Sequence, residues 1–566
     1  MKIRVGERLA TQRLLAALLV ACPALPALAA APPVPNAGSI LRQDQPPTQA
    51  APALTSPGLS VEQPGTGTLP PSKPFLVSRI EISGNTRIST ARLHALIAAV
   101  EGRRLTLPQL GALAQRLTDY YHAHGYPLAR AIIPAQTIHA GVVRFEIIEA
   151  RYGKVGLSNH SRVGDRLLEA TLAGLQSGAV VTDAQLDRAL LLLSDIPGVN
   201  VNAVLKPGTK VGTSDLQVAT ASPSPVNGDV TADNAGDRYS GRARVGGTLN
   251  WLDPLHQGDI LSVSALTTGD SGMNYGRLDY AALLDGEGTQ LGTGFSTLDY
   301  RLSGDLSPLD AHGDAQDASL WARQPFVRSR DVNLYGQAQY DHLHLNDEIG
   351  RNGTEAPRHL DTLTLSLSGN VRDGLGAGGL DTWTASWTHG HVGFESAAAD
   401  AADAQSADAH GVFSRWNVSL GRLQSLGAQD SVYLGAAGQW ANRNLDPSQQ
   451  MVVGGPGSVR AYDVDALSGA AGYQLTAELR HSFLTPWYGH WQAIAFADDA
   501  HLRIDQKVFA PGPNTANLTG AGAGLSWTGP AQVQASLTAA TPIGGRPELA
   551  GDAASARVWL QASKGF

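Results

Sequence analysis

The 566-residue chain carries a single cysteine, Cys22, and that scarcity excludes a disulfide scaffold. Charge is also sparse: Asp, Glu, Lys and Arg make up 16% of residues and the formal net charge is −8. Gripping a phosphate backbone needs clustered Lys and Arg, so the composition argues against a nucleic-acid partner. Beyond the N-terminus no run of about 18 apolar residues occurs, so no membrane-spanning helix is expected. A P-loop, a G-x-S-x-G elbow and paired catalytic carboxylates are all missing. These absences predict a protein that is not an enzyme and needs no cofactor. What the chain has in quantity is glycine, 63 residues, which favours β-structure with many turns.

The first 29 residues read as an export signal. Lys2, Arg4, Arg8 and Arg13 precede an apolar stretch from Leu14 to Leu19, and Ala27-Leu28-Ala29 supplies the small-x-small pattern before a cut. Cleavage there removes Cys22. The stretch Leu19-Val20-Ala21-Cys22 resembles a lipoprotein cleavage box, so lipidation of Cys22 stays open as an alternative. Residues 30–73 are rich in Pro, Ala, Gln and Gly with little charge, the composition of a linker. Within it AGSILRQDQ, residues 37–45, has the pattern of a short helix with Ser39 as its cap.

From Phe75 the texture changes. FLVSRIEISGN predicts a strand, STARLHALIAAV an amphipathic helix capped by Ser89, and LTLPQLGALAQRLTDYYHAHGY a second helix stopped by Gly125. ARAIIPAQ and VVRFEIIEA predict two further strands. The same β-α-α-β-β order recurs over KVGLSN, VGDRLLEATLAGL, TDAQLDRALLLLSDI, VNVNAVLKPG and TSDLQVATA. Two α+β modules, 74–150 and 151–224, are therefore expected.

Residues 225–566 contain no further helix pattern. RARVGGTLNW sets Val245, Leu249 and Trp251 on one face against Arg242, Arg244, Thr248 and Asn250 on the other. TLTLSLSGNV, DTWTASWTHG and YQLTAELR alternate in the same way. About sixteen such segments are longer than the ~5–6 residues of a soluble strand and match the ~9–11 of a tilted membrane strand. Trp251, Trp321, Tyr340, Trp440, Trp487 and Trp491 are placed for interfacial girdles. The expected fold class is α+β modules followed by a 16-stranded antiparallel transmembrane β-barrel, located in a bacterial outer membrane.

An export signal, a spacer, two such modules and a sixteen-strand barrel form an order that resembles the TpsB transporters of two-partner secretion, the haemolysin and filamentous haemagglutinin transporter family. The block from LTLPQL through VVRFEIIEA is similar to that family's first POTRA domain, with Gly125-Tyr126, Pro134-Ala135-Gln136 and Glu149 in place. The hairpin DNAGDRYSGRARVGGTLNW also looks like the family's. The resemblance implies periplasmic POTRA domains and a loop, here 441–470, folded into the barrel with a Val-Arg-Gly-Tyr tip. The tip reads Val459, Arg460, Ala461 and Tyr462, and its arginine is expected to face Asp498 of a Phe496-x-Asp498 motif two strands later. Ala461 departs from the family's glycine. If that position needs a positive φ, alanine costs about 1 kcal/mol.

The resemblance further implies an outer-membrane pore that secretes one large β-rich exoprotein bearing an N-terminal secretion domain. Client binding is expected at the first module through Tyr120, Tyr126, Arg130, Ile132, Pro134 and Gln136. Arg242, Arg244, Glu478 and Arg480 should line a polar lumen, the 37–45 helix should plug it, and Phe566 should end the chain as the insertion signal. Outer-membrane lipid and the barrel assembly machinery are the other partners, and the protein is expected to be a monomer. The alternative is an assembly factor of the same superfamily, against which two modules and the Pro-rich spacer argue. The pairs His342/His344 and His389/His391 share strand faces, but loop-edge histidines are far commoner than metal ligands of that spacing.

Overall fold

The computed structural model describes residues 34–44, 58–62, 70–269, 272–483, 488–545, 547–550 and 554–566. The export-signal reading, Cys22, most of the spacer and Trp487 lie outside the described residues.

The chain opens with helix α1 (Ala37–Asp44), close to the 37–45 segment read from sequence. Its cap is not Ser39. Asn36 precedes the first turn and accepts from the Ser39 amide through Oδ1 at 3.0 Å, while Ser39 Oγ takes the Asn36 amide at 3.1 Å. Ser39 is thus the reciprocal partner one turn in, and the asparagine makes the cap, as its short amide side chain suits it to do. A second departure follows. Strand β1 (Gly58–Val61) stands within the supposed linker.

The first module comprises β2 (Phe75–Val77), β3 (Arg79–Ser83), α2 (Thr90–Ile97), β4 (Arg103–Leu105), α3 (Leu107–Ala123), β5 (Arg130–Ile132) and β6 (Val142–Ile148). Its sheet runs β3-β6-β5, with β2 and β4 as a separate pair. Thr106 starts α3 with a full capping box to Gln109, and Leu110, Ala114, Leu117 and Tyr121 are buried on one helical stripe. Ser89 occupies the cap position of α2 but makes no side-chain cap bond. Gly125 ends the α3 hairpin at φ +83°, a conformation cheap only for glycine. Glu149 explains its place in the motif. It accepts from the amides of Thr86 and Arg87, both at 2.8 Å, from the Thr86 hydroxyl, and from Tyr121 Oη at 2.9 Å. Burial works against its charge, but these donors hold its carboxyl below the ordinary glutamate range.

The second module comprises β7 (Arg151–His160), α4 (Asp165–Leu172), α5 (Asp183–Ser194), β8 (Asn200–Pro207) and β9 (Thr213–Ala221), with Leu168, Leu190, Leu193, Leu205 and Val218 in its core. Its sheet order is β1-β8-β9-β7, so β1 extends this sheet rather than belonging to an unstructured spacer. The second module sits against the short turns at one end of the barrel. Arg328 grips Asp195 through Nε and Nη2 at 2.7 and 2.8 Å, Arg330 reaches Asp187 at 2.9 Å, and Arg162 donates to the Leu252 carbonyl at 2.8 Å.

The remaining strands close an antiparallel barrel of sixteen, from Val226–Asp233 to Arg557–Gly565, with the two-residue strand Thr354–Glu355 appended. Val245, Leu249, Trp251, Leu363, Leu365 and Leu367 are exposed on the outer wall, which the alternation required of a lipid-facing surface. Closure is thinnest where the first strand meets the last. Pairing there runs only from Asp229 opposite Gly565 to Asp233 opposite Gln561. Phe566 prolongs it by exchanging backbone hydrogen bonds with Gly228, at 3.0 and 3.2 Å.

Candidate functional site

The eleventh barrel strand (Asp430–Ala441) leads into a loop that folds back inside the barrel. Two short strands, Met451–Val453 and Leu467–Gly469, pair at its base. Gly454 and Gly455 turn the chain at φ +111° and +90°; a Cβ on Gly454 would strike the Asp463 carbonyl at 2.2 Å. The tip residues Val459, Ala461 and Tyr462 are buried.

Arg460 faces the thirteenth strand (His490–Arg503). Its Nε and Nη2 donate to the two oxygens of Asp498 at 2.8 and 2.7 Å, the fork geometry that suits guanidinium and carboxylate. Its Nη1 donates to Glu478 Oε1 at 2.6 Å, and its guanidinium carbon lies 3.5 Å from the Phe496 ring centroid. Glu478 also receives Arg480 at 2.6 and 2.8 Å, so two acids and two arginines balance. Asp498 gains a further donor in Thr476 Oγ1 at 3.0 Å. Sequence alone puts Glu478 on the lumen wall without assigning it to Arg460. Its register opposite Phe496 makes that assignment. Trp559 of the last strand carries no sequence signal for this role; its indole donates to the Arg460 carbonyl at 2.7 Å.

Ala461 does not adopt a positive φ, so the tip carries no left-handed strain. Room for its methyl comes from the opposite wall. A Cβ built on Gly520 would meet the Ala461 Cβ at 2.4 Å, so glycine and alanine interlock there. Two residues further on, Asp463 binds Arg242 at 2.7 Å and also Arg557. Arg242 belongs to the first hairpin and Arg557 to the last strand, so this carboxylate bridges the two sides of the thin closure. Arg244 pairs with Asp233 at 2.8 Å.

The lumen is not uniformly polar as expected. At the end remote from the modules Tyr275, Leu298, Tyr300, Leu343, Leu345, Leu360 and Phe413 form an apolar cluster, and Ala37, Ile40 and Leu41 of α1 complete it. The Ala37 amide donates to Asp347 Oδ1 at 2.7 Å; Asp347 also accepts from Tyr300 Oη and Arg358, each at 2.6 Å. Gly38 lies so close to the loop that a Cβ there would meet Ser448 Cβ at 2.8 Å. Gln43 reaches Asp465 at 3.3 Å, and Arg42 reaches the Ser448 carbonyl and Gln439 at 3.4 Å.

The six first-module residues do not form one open surface. Gln136 is committed to the backbone of Arg144, accepting and donating at 2.8 Å. Tyr126 packs edge-on against Tyr121 at 5.7 Å and Tyr120 lies 4.0 Å from the His124 ring. Arg130 and Pro134 are half-buried, and Ile132, 37% exposed, is the most accessible. His342 pairs with Asp361 at 2.9 Å and His344 with Glu395 at 3.2 Å, while His389 meets Ser414 at 3.0 Å; no metal-holding cluster forms among the described residues.

Two POTRA-like modules on a sixteen-strand barrel, with an inward loop and a helix in the lumen, define a class: outer-membrane transporters with periplasmic POTRA domains. The model of the haemolysin secretion/activation proteins ShlB/FhaC/HecB matches residues 212–527, and the ShlB-type POTRA domain matches residues 75–150; the chain belongs to this family. It is similar to the heme/hemopexin transporter protein HuxB of Haemophilus influenzae, 24% identical over 94% of this chain and 95% of that protein. It is also similar to the outer membrane transporter CdiB of Escherichia coli, 26% identical over 83% of this chain and 79% of that one. The solved structure of CdiB from Escherichia coli shares the fold at a TM-score of 0.68, with 24% identity, covering 94% of this chain and 96% of that one. Family members are transporters rather than enzymes, which supports two-partner secretion.

Proposed function

We propose that this chain is the outer-membrane pore that recognises one large partner exoprotein of haemolysin or adhesin type and secretes it without nucleotide hydrolysis. The observation that carries the reading is the state of the lumen. A helix and a tip loop from the chain itself fill it, each held by contacts made to the wall and to each other, while the modules wait at the opposite mouth. A plain diffusion channel has no use for such a filling. In this reading residues 74–150 and 151–224 are two client-facing modules, α1 is the resting plug, and the Arg460–Asp498 pair fixes the loop for transport. Folding of the exoprotein outside supplies the driving force, and the pore works as a monomer in outer-membrane lipid after insertion by the barrel assembly machinery.

The test is secretion of the exoprotein encoded beside this chain by cells carrying Arg460→Ala or Asp498→Ala. Barrel insertion is checked by heat-modifiable gel migration. Inserted barrels with the exoprotein held in the periplasm are expected; undiminished secretion would remove the loop from the mechanism.

A further inference from the structure

We propose that the outer edge of β8 is a docking edge for an extended segment of the secreted protein, and that β1 is the chain's own occupant of that edge, displaced when cargo docks. The inference rests on the secretion reading above.

One side of β8 is paired along its whole length with β9, from Asn200 opposite Ala221 to Pro207 opposite Ser214. Among the described residues the other side is covered from Asn202 to Leu205 only, by Gly58–Val61 in parallel register, with the Glu62 amide adding a bond to the Leu205 carbonyl at 2.9 Å. An open edge of this length is a template for foreign strands, and β1 blunts it. The cover is slight. Gly58, Ser60 and Val61 are exposed, and only Leu59 packs against the module's core. The flanking Glu62–Lys206 pair, 3.8 Å apart and more than half exposed at both ends, adds little. What keeps so short a strand in place is its covalent tether, which gives it a high effective concentration. A longer strand reaching Asn200 and Lys206 as well would make more backbone bonds than β1 does.

The partner this edge fits is a β-rich polypeptide still extended before it folds, captured by strand addition. The first module offers less. Of its two edge strands, β5 has three residues and its Ala131 amide already donates to Thr118 Oγ1 at 3.0 Å, while β3 has five and its Ile80 amide already donates to Glu101 Oε1 at 2.7 Å. Displacing β1 would also reach the lumen. Residues 45–57, thirteen in all, join α1 to β1, whereas residues 45–74, thirty in all, join α1 to β2. Effective concentration falls roughly as the −3/2 power of tether length, so freeing β1 weakens retention of α1 about threefold to fourfold.

The experiment uses the full-length chain with Ser60→Cys and Val204→Cys, which are direct cross-strand neighbours. Secretion of the exoprotein encoded beside this chain is measured with the disulfide formed and after reduction. The pinned form should insert normally and secrete at least about tenfold less, with recovery on reduction. Equal secretion by pinned and reduced forms overturns the proposal, whereas no secretion by the parent chain overturns the secretion reading instead. Independently, Leu59→Asp in the purified full-length protein should bind the exoprotein's amino-terminal secretion domain several-fold tighter, because the competitor is weakened. Unchanged affinity also overturns the proposal.

Discussion

Two parts of this chain occupy the same lumen and are held there by opposite physics. The loop tip is fixed by ionised groups: Arg460 saturates Asp498 and half of Glu478, and Trp559 closes over its carbonyl. Helix α1 is fixed mainly by shape and apolar burial, with Ile40 and Leu41 fully covered; one short tie, from the Ala37 amide to Asp347 at 2.7 Å, stands beside longer ones at 3.3 and 3.4 Å. A forked ion pair out of water has no good intermediate, because separating it leaves two charges without partners. An amphipathic helix of eight residues, seated by a few apolar side chains, can leave as a unit and be replaced by another segment. The contrast assigns permanence to the tip and departure to the helix.

The comparison breaks first at Arg460. Arg460→Ala leaves Asp498 and Glu478 facing each other's charge in a buried site, a loss of about 3–5 kcal/mol. The barrel's heat-modifiable transition should shift to a markedly lower temperature. Leu41→Ala tests the other side, and truncating a buried leucine costs about 2–5 kcal/mol. Here the cost should fall on docking of α1 alone, so single-channel recordings should show open events while the thermal transition stays put. Gly520→Ala drives a methyl into Ala461, and overpacking costs about 1–3 kcal/mol. Stability should return in the double variant with Ala461→Gly. A Gly520→Ala barrel that is as stable as the parent would show that the tip is not seated as described.

The smallest effect is one of pH. Burial, with the nearby charge of Asp237, pushes the Asp465 carboxyl up to about 6 against the pull of Gln43 and Arg42. A raised carboxylate pKa means that the charged form is disfavoured in the folded state relative to the unfolded chain. The barrel should therefore gain stability as pH falls through 6 and level off towards the ordinary aspartate value of 3.8. The heat-modifiable transition should lie higher at pH 5 than at pH 7.5, by about 1.4 kcal/mol of stability for the one decade below the midpoint. Asp465→Asn should abolish the difference.

Much of this was legible in the sequence because it repeats or alternates. The outer face of the barrel follows from a period of two sustained over many strands, and α3 from leucines at three and four. The tip pair was legible only through resemblance, since Arg460 and Asp498 lie 38 positions apart with no local signal between them. The suspicion attached to Ala461 could not be resolved from sequence, because the answer is Gly520 across the lumen. Strand β1 was invisible for a related reason. Four residues in a Pro-rich stretch show no pattern, and their parallel partner, Asn202–Leu205, begins 144 positions away from Gly58. The apolar lumen cluster was spread over several strands as inward-facing Leu and Tyr, which alternation alone assigns to neither wall nor filling.

The bridge made by Asp463 has a consequence for the order of assembly. Its two arginines, Arg242 and Arg557, stand at the opposite ends of the barrel sequence, and Trp559 beside them supplies the donor for the tip. Until the last strand has zipped against the first, the loop's seat lacks its roof and one of its two clamps. The tip cannot settle early and trap an incomplete cylinder. A seated loop is thus a record that the final strand has arrived, written by the residues that the newest part of the chain brings with it.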